Sequence, residues 1–193
     1  MIRGLGHALV VAALVGALGG CAETMRGESA LRRGQYAEAA TEFGQVLAED
    51  PGRLDALIGL GIARYKLGDF ADARQSLELA VTQAPGDARA RLYLALTVLQ
   101  SGDGERAAEH LRIFREQSRD PRVAAQVDRA LLLLRSPGLC PEVRSFVAAA
   151  LEDETALARE LREARLRPPP PYYAPYPFFY DCVPVRHGRV VCF

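Results

Sequence analysis

Glycine recurs at intervals of 34 residues, at Gly34, Gly68 and Gly102. Each of these glycines is followed five positions later by alanine and nine positions later by Phe or Leu. A fixed period of this length, with small residues at constant offsets, is typical of stacked helix–turn–helix units. One such unit cannot bury its apolar face alone, so the period predicts an all-α solenoid in which each unit packs against its neighbours.

The helical pattern divides the chain into about three and a half units. The predicted units are 21–53, 54–87, 88–121 and a degenerate 122–166. Their predicted helices are one that ends near 33, followed by 36–49, 54–67, 70–83, 88–100, 104–118, 122–135 and 141–166. Pro51 and Pro85 close the first two units, because proline cannot continue a helix. The third unit departs from this pattern, since Pro121 comes two residues late.

The last predicted helix, 141–166, has a separate pattern, and a break near Asp153 is one alternative for it. Its charge-rich final third suits the solvent-facing cap of a solenoid. The cluster Glu152-Asp153-Glu154 is interpreted as a solvated face. The apolar face of this helix is predicted to consist of Val143, Phe146, Val147, Ala150 and Leu151.

The clearest unit runs from Ala56 to Ala73 and includes the turn Lys66-Leu-Gly-Asp-Phe70. With its closing proline, Pro85, it closely resembles the tetratricopeptide repeat (TPR). The resemblance implies a groove lined by the first helix of each unit. Carried over to this sequence, the lining is Asp55, Ile58, Ile62, Tyr65, Lys66, Arg89, Leu92, Leu96, Leu99 and Gln100, with Thr24, Glu28, Leu31 and Arg32 from the first unit.

This lining is mostly apolar, which argues against the capture of a charged C-terminal peptide. It favours a protein partner that buries an amphipathic helix or an aromatic-rich strand in the groove. The alternative is that the chain fills its own groove, with the last helix or with the tail, because an exposed apolar surface of this size promotes aggregation.

The start of the chain has the layout of an export signal. Arg3 is the only charge in the first 20 residues, and an apolar run covers 5–18. Its end, Leu18-Gly-Gly-Cys21, resembles the bacterial lipoprotein signal. The resemblance implies that residues 1–20 are removed and that Cys21 carries acyl chains such as palmitate, which anchor the protein stably. Position 22 is alanine and not aspartate, which favours anchoring on the periplasmic side of the outer membrane. The alternative to a lipoprotein signal is an ordinary signal peptide.

Residues 167–193 form a proline- and aromatic-rich tail, interpreted either as a rigid spacer or as a ligand strand. Near its end, Cys182 and Cys192 flank nine residues that suit a hairpin with a three-residue loop. An exported protein meets an oxidising compartment, so a Cys182–Cys192 disulfide is predicted. Cys140 is then left as a buried thiol or an intermolecular link.

The sequence offers little for catalysis. Twenty-four basic residues balance twenty-four acidic ones, so nucleic acid is not an expected partner. There is no Cys-x-x-Cys, no histidine pair with metal-ligand spacing and no phosphate-binding glycine loop. A nucleophilic Cys140 with His110 is the remaining enzymatic hypothesis. We therefore predict a non-enzymatic protein without cofactor or metal.

A lipid-bearing cysteine followed by TPR units resembles pilotin and pilus-assembly lipoproteins in architecture. The resemblance implies a scaffold that supports the assembly of an envelope complex, such as a pilus or secretion machine. The alternatives are an accessory factor for peptidoglycan or envelope biogenesis and an enzyme subunit that uses Cys140. The oligomeric state is not predicted.

Overall fold

The computed structural model describes residues 23–136 and 138–166, apart from the side chain at 165, and the backbone of two strands. The predicted signal, residues 1–20, and the predicted lipid site, Cys21, lie outside the described residues. The same is true of residues 167–181 and of the side chains in both strands.

Helices make up most of the described chain. The first, α1, covers 23–33. The remaining elements are α2 (Tyr36–Glu49), α3 (Leu54–Leu67), α4 (Phe70–Gln83), α5 (Ala88–Gln100), α6 (Gly104–Gln117), α7 (Pro121–Leu133), α8 (Pro141–Leu166), β1 (Cys182–Val185) and β2 (Arg189–Cys192). The predicted bounds of α2 to α5 match those observed. The predicted all-α solenoid is confirmed for this part of the chain.

The glycines that recur every 34 residues all have a left-handed backbone conformation. Gly34, Gly68 and Gly102 have φ angles of 74°, 84° and 94°, and each joins the two helices of one unit. Glycine adopts such angles without the steric cost that a Cβ atom brings. Gly138 lies near position 136, where the 34-residue period places the turn of the fourth unit, and its φ is 71°.

Glycine also allows the helices to cross closely. An ideal Cβ atom on Gly61 of α3 would lie 2.5 Å from Cγ of Leu77 on α4. Leu77 and the adjoining Ala73 are fully buried at this crossing. A side chain at position 61 would therefore keep α3 and α4 from approaching as closely as they do.

The final helix pair packs differently from the first three. Helix α7 packs against α6 and α8, whereas α8 packs against both α7 and α5. Helix α8 is continuous over 26 residues, so the alternative of a break near Asp153 is wrong. Phe146 is 70% exposed, so its assignment to the buried face of α8 is also wrong. That face is centred instead on Val147, Ala148 and Leu151.

The two strands form an antiparallel hairpin in which Cys182 lies opposite Cys192. The backbone of β1 lies against α8. Because the thiols and the hairpin loop are outside the described residues, the Cys182–Cys192 disulfide stays a prediction.

Candidate functional site: the inner face of the solenoid

Helices α1, α3 and α5 form one surface, which we call the inner face. Ile58 and Ile62 of α3 are buried there, packed against Leu31 of α1 and Tyr93 of α5. Above them, Nη2 of Arg89 on α5 lies 3.1 Å from Oε1 of Glu28 on α1. Every residue in these two contacts except Tyr93 belongs to the predicted groove lining.

The α5 part of the inner face is covered by α8. Leu92, Leu96 and Leu99 are at most 4% exposed. They share one apolar cluster with Val147 and Leu151 of α8. In this part of the groove, the last helix of the chain occupies the surface, as one of the two alternatives from the sequence stated.

An ion pair fixes the middle of α8 to this surface. Nζ of Lys66 lies 2.6 Å from Oε1 of Glu152, and the two side chains are only 28% and 16% exposed. The Tyr65 and Tyr93 rings meet edge to face beside the pair, with centroids 5.6 Å apart. Burial raises the pKa of both hydroxyls, and the negative charge of Glu152 raises it further. The site is therefore a partly buried carboxylate beside one ammonium and two neutral phenols.

The rims of the inner face are polar. Gln100 Oε1 accepts a hydrogen bond from Oγ of Ser145, near the start of α8, at 3.4 Å. Asp55 accepts one from Nε of Arg53 at 3.1 Å. The structure thus packs Ile58 and Ile62 against α1 and α5, and it places Leu92, Leu96 and Leu99 in the cluster shared with α8. Their role in binding a partner stays a prediction.

Sequence analysis missed Glu152 and Tyr93. Glu152 is not part of a solvated charge cluster, because it turns inward to Lys66. Its position next to Leu151 and four residues after Ala148, both buried, was the available signal.

An open cleft of about 330 Å³ adjoins the Lys66–Glu152 ion pair. Besides these two residues it is lined by Tyr65, Leu67, Gly68, Phe70 and Gln100.

The residues of the enzymatic hypothesis have other neighbours. Nδ1 of His110 lies 3.3 Å from Nη1 of Arg91, and burial, followed by the charge of Arg91, lowers the pKa of His110. Cys140 is an exposed free thiol. A backbone hydrogen bond, and then one with Cys140, lower the pKa of Glu142, which makes this carboxylate a weaker base. Within the described chain, no group of three or more His, Cys, Asp or Glu side chains is placed to hold a metal ion.

Two family models match the sequence, both described as tetratricopeptide repeat, over residues 24–88 and 66–132. Together with the paired helices and their left-handed turns, these matches show that the chain belongs to the tetratricopeptide-repeat family. Solenoids of this kind present extended concave surfaces and are generally protein–protein interaction scaffolds rather than enzymes. A search of curated proteins gave no significant match.

Solved structures with the same fold come from bacteria and eukaryotes. The secretion chaperone SycD of Yersinia enterocolitica, in complex with a peptide of the translocator YopD, is 20% identical, with a TM-score of 0.54 over 58% of this chain and 89% of that chain. A type III secretion complex from Aeromonas hydrophila is 22% identical, with a TM-score of 0.55 and coverages of 60% and 80%. The TPR2B domain of yeast Sti1, in a complex with pHsp70, is 16% identical, with a TM-score of 0.55 and coverages of 61% and 97%.

No helix in the described ranges is both long enough and apolar enough to cross a bilayer.

Proposed function

We propose that the chain is a non-enzymatic docking scaffold whose inner face receives a helical segment of a partner protein. The observation that carries this proposal is the packing of α8 on the inner face. Leu92, Leu96 and Leu99 already accommodate one helix there, in a shared apolar cluster. Binding an amphipathic helix by its apolar face is a recurrent mode of peptide recognition. The complex of SycD with a YopD peptide and the complex of the Sti1 TPR2B domain with pHsp70 support the proposal that this fold binds protein segments.

We further propose that the scaffold is anchored by acyl chains on Cys21 to the periplasmic side of the outer membrane. There it would support the assembly of an envelope complex such as a pilus or secretion machine. The Leu18-Gly-Gly-Cys21 sequence supports the anchor, and the similarity in fold to a secretion chaperone and to a type III secretion complex supports the setting. Only one residue separates Cys21 from α1, so the first repeat would sit at the bilayer surface.

The anchor is tested by metabolic labelling with palmitate. The full chain is expected to incorporate label and to fractionate with outer membranes, whereas the Cys21→Ser variant does neither. Cys140→Ser is the matched control, because it also removes one thiol but lies in the α7–α8 connection. Equal labelling of the Cys21→Ser variant and the unmodified chain would rule out this anchor.

Docking is tested by photo-crosslinking in cells from two exposed positions of the second unit. A photoreactive residue at Asp55 lies on the rim of the inner face, and one at Gln75 lies on α4. We expect Asp55 to give a discrete product with one envelope protein, identified by mass spectrometry, and Gln75 to give none. The buried Leu96 is unsuitable for this purpose, since it is 0% exposed. A product from Gln75 alone would move the docking surface to the convex side.

A further inference from the structure

The buried side of α8 combines small side chains with a few larger apolar ones. Ala148 and Ala158 are 1% and 6% exposed, and between them Leu151 is fully buried. Small residues allow two helix backbones to approach closely, and Leu151, with Val147 beside it, is the larger apolar anchor of α8 in the cluster shared with α5. The opposite side of α8 is polar or unpartnered, as exposed Asp153 and Phe146 show.

The polar contacts of α8 use the predicted ligand-facing residues. Lys66 pairs with Glu152, and Gln100 accepts a hydrogen bond from Ser145. Arg144 adds a contact at the α5–α6 turn, where an ideal Cβ on Gly102 would lie 2.9 Å from its Nη1. Helix α8 therefore contacts Lys66 and Gln100, two residues that the family resemblance assigns to a ligand.

The connection of α8 to the solenoid is also longer than the turns within the repeats. Residues 134–140 join α7 to α8, whereas Gly68 and Asp69 alone join α3 to α4. The open cleft beside Lys66 gives a competing side chain access to the ion pair without prior movement of α8. A long connection and an accessible polar contact are the features that an exchangeable helix requires.

We propose that α8 is a built-in ligand of the inner face and that a partner helix displaces it. The partner would present a carboxylate in the position of Glu152, a leucine just before it and alanine-sized residues on either side. This proposal rests on the proposed function, because it assigns the inner face to the partner.

The first test measures how tightly α8 is held. Glu152→Gln removes the charge of the ion pair and keeps the shape of the side chain. In hydrogen exchange of the full chain, the α8 amides are expected to exchange about 10- to 100-fold faster, the range for loss of one charged hydrogen bond, while α2 to α4 keep their rates. Asp153→Asn, the neighbouring exposed carboxylate, is the matched control and should change nothing. Unchanged α8 exchange in Glu152→Gln would overturn the proposal.

The second test measures replacement of α8. A labelled peptide with the sequence of residues 141–166 is titrated into the full chain and followed by fluorescence anisotropy. Because opening raises the competent fraction, the peptide should bind the Glu152→Gln protein at least about tenfold more tightly than the unmodified chain. Lys66→Gln should release α8 to the same extent as Glu152→Gln. It should bind the peptide more weakly than the Glu152→Gln protein does, because the peptide carboxylate pairs with the Lys66 ammonium. Equal peptide affinity for all three proteins would overturn the proposal.

A second copy of the chain is the competing occupant. If Glu152→Gln formed a dimer in size-exclusion chromatography that excess 141–166 peptide dissociated, the inner face would accept α8 of another copy, and the partner-helix proposal would fail. Failure of this inference can be told apart from failure of the proposed function. Crosslinking from Asp55 and palmitate labelling of Cys21 test the proposed function, and neither requires α8 to move.

Discussion

The Gly59→Ala variant is expected to lose about 3 kcal/mol of its free energy of unfolding, at the upper end of the cost of overpacking a core. An ideal Cβ on Gly59 would lie 2.3 Å from Cζ of Phe43, and two further ring atoms lie within 2.6 Å. Phe43 is fully buried, and an ideal Cβ on Gly27 of α1 would also lie 2.8 Å from the same ring. Because glycines of α1 and α3 hold the ring between them, it has no free space into which it could move.

Gly44→Ala is the matched control. Gly44 lies in α2 beside Phe43, but nothing lies within 4 Å of an added Cβ atom there. Its replacement should raise stability by about 1 kcal/mol, because alanine favours the helix over glycine. Urea unfolding followed by circular dichroism measures both variants.

A double variant separates steric conflict from other causes. Phe43→Leu in the Gly59→Ala background should recover part of the lost stability, since the shorter side chain makes room for the added methyl group. If Gly59→Ala and Gly44→Ala shifted the urea midpoint in the same direction, the close contact with Phe43 would be refuted.

Local signals in the sequence were sufficient for the repeats. Each turn glycine has a left-handed conformation. Aspartates also mark helix starts, because Asp87 and Asp103 accept hydrogen bonds from the backbone amides of Ala90 and Arg106. Such signals act over a few residues, so they locate helices to within a residue or two without knowledge of the tertiary structure.

The position of α8 could not be predicted in the same way. Its contacts join residues far apart in the chain, such as Lys66 with Glu152. Helical periodicity identified an apolar stripe but not which edge of it faces the solenoid, so Phe146 was assigned to the interior and Glu152 to solvent. The direction in which α7 leaves the third unit decides this, and no local motif encodes that direction.

Leu151→Ala is expected to cost about 3 kcal/mol, within the range for a buried leucine that leaves a cavity. Leu151 is fully buried in the cluster that α8 shares with α5. Phe146→Ala, on the same helix, removes a larger apolar side chain that is 70% exposed, so it should change stability by no more than about 0.5 kcal/mol. Equal losses in the two variants would show that α8 is not seated through Leu151.

The region destabilised by Leu151→Ala shows whether α8 is an exchangeable helix or an obligatory part of the core. In a solenoid each unit contacts only its neighbours, so an end can open while the remainder stays folded. If α8 is exchangeable, hydrogen exchange in Leu151→Ala should accelerate within α8 alone, and α2 to α4 should keep the protection of the unmodified chain. Acceleration throughout the chain would mean that α8 is an obligatory part of the core, because the Leu92, Leu96 and Leu99 surface could not remain folded without it.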